Sequence, residues 1–229
     1  MNDHNGLICT AVGVKTLAEA IRLVEEEQGQ TDVIEIRLDS LEKPAVIPFF
    51  KHADIPLLFT NRPTWEGGYF EGLESVRIAL LEEAVEHGAA YIDCELRAPE
   101  ESRNRLMEKT ATCQTKLILS WHDFKTTPDK SFLRDLVISM QKCSADIGKI
   151  VTTAHTFPDV LRVLALQEIA AQQYFPLIAF CMGKAGMISR LATLKLGGYM
   201  SYCAPRKSGG TATGQLGSVE LRTMLERFK

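Results

Sequence analysis

Two residues carry the most reactive chemistry in this chain, and each belongs to a short apolar run. Lys149 sits inside 147–152, with Ile150 and Val151 directly after it. Burying an ammonium without a partner costs several kcal/mol, so a lysine in such a run needs a reason. Only about 0.04% of ordinary lysines are neutral at pH 7, and burial or a nearby cation raises that share and makes the amine a nucleophile toward carbonyls. His122 follows the apolar run Leu117–Leu119 one unit earlier, where an imidazole would move the protons that imine chemistry requires. Together they suggest a Schiff-base lysine served by a histidine. The bland alternatives are a sheet-edge lysine that snorkels to water and a His122–Asp123 pair that caps a turn.

Other charged groups fall at strand-like positions. In VIEIRLD, Glu35, Arg37 and Asp39 alternate with Ile34, Ile36 and Leu38, and a period of two puts the charges on one face and the aliphatics on the other. Glu35 and Arg37 read as functional, because buried charge is a costly way to gain stability. Asp39, at the end of the run, fits an internal ion pair equally well. Tyr91, Asp93 and Glu95 share one face in the same way. In TNRPTWEGG, Arg62 lies just past Thr60 and Glu66 precedes the Gly67–Gly68 turn. Gly183 and Gly186 allow a tight turn into a helix with Ser189 and Arg190 near its start, a setting suited to carboxylates or phosphates. The loop APRKSGGTATGQ reads either as a substrate cover or phosphate cradle, or as a solvated loop.

The elements that must position these groups alternate along the chain. Strand-like runs fall at 7–12, 33–38, 56–60, 90–96, 116–121, 147–152, 176–181 and 198–203, with amphipathic stretches at 16–27, 72–87, 129–142, 157–171 and 218–228. Eight such units over 229 residues predict a single-domain (β/α)8 TIM barrel spanning 1–229, with its chemistry at the C-terminal ends of the strands. A doubly wound sheet is the alternative.

Composition narrows the function. A net charge of −3 with mixed signs gives no basic stripe for nucleic acid. No apolar run reaches the roughly 20 residues of a membrane span, and the first residues lack the pattern of a secretory signal. The six cysteines show no CxxC spacing, so neither a metal cluster nor a disulfide framework is expected, and a reduced, cytoplasmic setting is.

The motifs together resemble one family, the type I 3-dehydroquinate dehydratases of the shikimate pathway. They are EIRLD (35–39), TNRPTWEGG (60–68), DCEL (93–96), SWHDF (120–124), GKIVT (148–152), MGKAGMISRL (182–191) and TATGQ (211–215). They run nearly end to end in the family's order. The resemblance implies a barrel and a syn elimination of water from 3-dehydroquinate, without metal or organic cofactor, in a homodimer. It makes Lys149 the Schiff-base lysine, His122 the general acid/base and Glu66 the carboxylate that orients it. It places Glu35, Arg37 and Arg62 on substrate hydroxyls and charge, Arg190 on the carboxylate, and Thr211 and Gln215 on a closing loop. Cys94 and Trp121 depart from the family pattern, as do Thr211, where a serine is usual, and Thr213, where a proline is. The lost proline frees φ. Three other readings remain open: an aldolase-like lyase on a phosphorylated sugar, a divalent-metal enzyme using Glu35, Asp39, Asp93, Glu95 and His122, and a barrel that only binds.

Overall fold

The computed structural model describes residues 6–206, 210–212 and 214–228, so Thr213 lies outside the described residues. Eight strands follow in chain order: β1 (Leu7–Val12), β2 (Val33–Arg37), β3 (Leu57–Thr60), β4 (Tyr91–Glu95), β5 (Lys116–His122), β6 (Ile147–Thr153), β7 (Leu177–Met182) and β8 (Met200–Cys203). All pairs are parallel, in the order β7-β6-β5-β4-β3-β2-β1-β8. The two end strands approach each other, and the Tyr199 N–H ahead of β8 donates to the Leu177 carbonyl of β7 at 2.9 Å. The barrel is therefore nearly closed.

The helices between strands are α1 (Leu17–Glu27), α2 (Glu74–Glu86), α3 (Glu100–Thr110), α4 (Lys130–Lys142), α5 (Phe157–Leu164), α6 (Leu166–Gln172) and α7 (Met187–Lys195), and α8 (Ser218–Glu226) follows β8. Thr16 and Asp129 act as N-caps rather than first helical residues, accepting from the N–H of Glu19 and Phe132, the usual use of such side chains. The stretch expected as one helix over 157–171 divides at Ala165, which ends α5 and begins α6. The break lets Val160 and Val163 of α5, and Leu166 and Ala170 of α6, each meet the core.

Strand alternation sorts the core into two layers. Outward residues such as Ile36, Phe59, Ile92 and Leu119 pack under the helices. Inward residues such as Ala11, Leu58, Ile118 and Ile178 fill the barrel. Two residues on from that apolar layer, the inward positions become polar: Tyr91 gives way to Asp93 and Glu95, Ile118 to Ser120 and His122, and Ile147 to Lys149. The lower barrel is thus ordinary core, and its upper end carries the charge.

One expectation from alternation fails at Asp39. β2 stops at Arg37, and Leu38–Ser40 forms a 3-10 turn. Asp39 is drawn out of register because its carboxylate accepts the N–H groups of Arg62 and Tyr69, both at 3.1 Å, as well as Arg37. It staples two loops instead of sharing the inner face with Glu35.

Candidate active site

The register assembles the site. Glu95 pairs with Ser120, and Ser120 with Lys149, across β4, β5 and β6. Lys149 is buried, with Nζ 2.9 Å from Asp93 Oδ2 and 3.7 Å from Glu35 Oε1, and 4.0 Å above the Tyr202 ring centroid. The sequence invoked burial or a nearby cation for this amine; the structure gives it a carboxylate partner. Burial alone would raise Asp93, but Arg62 and Lys149 outweigh it and hold that carboxyl well below its usual range. Ser120 Oγ donates to Asp93 Oδ1 at 2.6 Å. Glu35 accepts from Thr60 Oγ1 at 2.8 Å.

Arg62 lines the same pocket, but its donors are committed: Nη2 to Asp93 at 2.8 Å, and Nη1 to Glu95 at 2.6 Å and Ser120 Oγ at 2.7 Å. Glu95 also takes Arg77 Nη1 at 2.6 Å. Arg37 is gripped by Asp39 at 2.9 and 2.7 Å. These ion pairs engage the carboxylates that the metal reading needs, and among the described residues no three His, Cys, Asp or Glu side chains form a metal-ligand group.

His122 ends β5 with its ring stacked on Phe124, centroids 5.9 Å apart. Its Nδ1 lies 3.0 Å from Glu66 Oε1, and its backbone N–H donates to the same oxygen at 2.9 Å. Burial first, then the charges of Arg62 and Lys149, push the imidazole well below its ordinary value. It is therefore neutral near pH 7, and a proton on Nδ1 toward Glu66 leaves the Nε2 lone pair as a base. Burial pushes Glu66 up to about 7, against the pull of Arg62 and Arg97. Glu66 closes a 3-10 turn, Thr64–Glu66, that ends on Gly67 at φ 76°. Only glycine fits there easily, since a Cβ would also stand 2.3 Å from the Phe124 ring.

Arg190 is the unbalanced group. It is buried on α7, donates Nη1 to the Tyr202 carbonyl at 3.1 Å and lies 4.5 Å from the Phe180 ring centroid. Its Nε and Nη2 are buried and have no hydrogen-bond partner among the described residues, and burial pushes the guanidinium down to about 10. Two idle donors on a planar cation suit one carboxylate. Beside it, Gln215 Nε2 donates to Thr211 Oγ1 at 3.3 Å, and Gln215 Oε1 accepts the Ala212 N–H at 3.1 Å.

All of the site residues singled out from the sequence (Glu35, Arg37, Arg62, Glu66, His122, Lys149, Arg190, Thr211 and Gln215) line this one pocket. Two further contributors to this pocket were missed: Phe180 and Tyr202 sit at inward positions of β7 and β8 that read as plain core. A third residue was missed outside it, Arg97, which pairs with Glu66 and follows β4 with no pattern to mark it.

A sequence profile described as type I 3-dehydroquinase matches residues 8–229. The chain is 47% identical over 225 residues to the 3-dehydroquinate dehydratase of Desulfotalea psychrophila, covering 98% of this chain and 99% of that one. It is 36% identical to the bifunctional 3-dehydroquinate dehydratase/shikimate dehydrogenase of Arabidopsis thaliana over 91% of this chain and 35% of that protein. Among solved structures, a type I 3-dehydroquinate dehydratase from Clostridium difficile superposes with a TM-score of 0.90 at 28% identity, covering 100% of this chain and 94% of that one.

Proposed function

The chain belongs to the type I 3-dehydroquinase family, and on that premise we propose that it eliminates water from 3-dehydroquinate through an imine on Lys149, giving 3-dehydroshikimate. It is then a hydro-lyase of the shikimate pathway. The observation that carries the reading is the company Arg190 keeps: its idle donors line the same pocket as Lys149 and His122. A carboxylate seated on Arg190 presents the rest of the ring to amine and base. An aldolase-like lyase on a phosphorylated sugar would share the lysine, but family membership sets it aside.

In this reading the Lys149 amine adds to the ketone at carbon 3, and the carbinolamine loses water to give a protonated imine, with His122 moving the protons. The imine draws electrons from the adjacent carbon 2, whose proton His122 Nε2 removes. The resulting enamine expels the hydroxyl of carbon 1, which takes that proton back from His122 and leaves as water. Hydrolysis of the imine frees the product and Lys149. One base on one face accounts for a syn outcome. Glu66 steadies the imidazolium while it carries the proton, and Asp93 steadies the cationic nitrogen of Lys149. Glu35, Arg37, Thr211 and Gln215 meet substrate hydroxyls, with Arg62 as frame.

The assay is the growth of conjugated-enone absorbance on adding 3-dehydroquinate. His122→Ala is expected to keep substrate affinity and lose about 10²–10⁴-fold in kcat; near-normal turnover would remove His122 from this role. We also propose a homodimer working in the cytoplasm. Cysteine usage without a disulfide framework supports the compartment, and no described helix is long and apolar enough to cross a membrane.

A further inference from the structure

Arg97 lies two residues beyond β4, just outside the motif that ends at Leu96. Its guanidinium nonetheless reaches both members of the Glu66–His122 pair. Nε donates to Glu66 Oε2 at 2.9 Å, Nη2 is ion-paired with the same oxygen at 2.7 Å, and Nη2 donates to the His122 carbonyl at 3.4 Å. Both tryptophans of the chain hold it in place, with the Trp65 and Trp121 ring centroids 5.8 and 5.9 Å away. Trp65 precedes Glu66 and Trp121 precedes His122, so the clamp is built from the immediate neighbours of the two residues it serves.

The Glu66 side chain has no solvent exposure, and a buried carboxylate needs donors on both oxygens. Oε1 receives both of its hydrogen bonds from His122, and among the described residues Arg97 alone donates to Oε2. Arg62 acts on Glu66 only through space, its donors being spent on Asp93, Glu95 and Ser120.

We propose that Arg97 is a positioning residue for the proton relay, holding Glu66 as a charged acceptor on the Nδ1 side of His122, with Trp65 and Trp121 fixing the guanidinium there. This rests on the reading of Glu66 and His122 as the proton-moving pair. The groups that face Glu66 are Arg97, His122, Arg62 and Glu95, and Glu95 is itself compensated by Arg62 and Arg77. Loss of Arg97 leaves the pair taking up a proton more readily, which silences the base whichever partner holds it.

The experiment is kcat/KM against pH for the full chain, for R97M, R97K and E66Q, and for E66Q with R97M. In the unsubstituted protein kcat/KM falls below about pH 7, where burial places Glu66. In R97M that limb moves up by about one pH unit, the size expected for a half-exposed partner. That is about a tenfold loss at a fixed pH below the limb, with KM and the alkaline plateau unchanged. R97K falls between. E66Q loses the limb, and adding R97M to it changes nothing more. Tryptophan emission titrates with the same midpoint in the unsubstituted protein and not in E66Q. An R97M limb that overlays the unsubstituted one, or a loss uniform across pH, overturns the role of Arg97. An E66Q limb unchanged from the unsubstituted protein overturns the proton-moving pair itself, and the proposal with it.

Discussion

Arg190 shows most clearly how a residue's surroundings declare its use. A buried guanidinium with two idle donors is a cost to the empty fold, and in the proposed function the substrate carboxylate repays it. The cost to the empty fold and the gain on binding separate by experiment. Arg190→Met should leave the unliganded protein as stable as before or more so, since the idle donors are gone. It should lower kcat/KM about a hundredfold, mostly through KM, because charge-assisted hydrogen bonds to substrate are lost. Calorimetry and steady-state kinetics read the two effects, and an unchanged KM would break the assignment. Residue types and spacing marked Lys149, His122 and Arg190 in the sequence. The partners did not show: nothing local says that Asp93 reaches Lys149 at 2.9 Å, because 56 residues separate them and only the strand register joins them.

At the scale of elements, the strands were legible as short apolar runs between amphipathic stretches, with period two marking β2 and β4, and their ends were not. β2 ends at Arg37 rather than Leu38 because Asp39 turns to serve two loop N–H groups, a demand set by residues about 23 and 30 positions away. α2 was visible as a helical stretch, yet it places Arg77 wholly inside, where it bridges Glu74 and Glu95; such a cation on an apolar face blurs the stripe that marks a helix. Asp39→Ala strands Arg37 and frees the N–H groups of Arg62 and Tyr69, and should cost about 3 kcal/mol in urea unfolding, the range for breaking a buried pair. Loss below about 1 kcal/mol would mean the staple is idle.

For the molecule as a whole, the barrel divides labour along its axis: apolar layers below hold the strands together, and charged layers above hold one another in place. Nearly every buried charge at the upper end has an opposite partner, which is how so many ions coexist in little space. The homodimer proposed here is tested by sedimentation: a species of about twice the chain mass is expected, and monomer alone at micromolar concentration would contradict it. Imine formation on Lys149 is tested by intact-protein mass measurement after 3-dehydroquinate and sodium borohydride are added together, followed by peptide mapping. A single reduced adduct on Lys149, absent in Lys149→Ala, is the predicted result. Full turnover with no trapped adduct, or an adduct on another lysine, would remove Lys149 from this role.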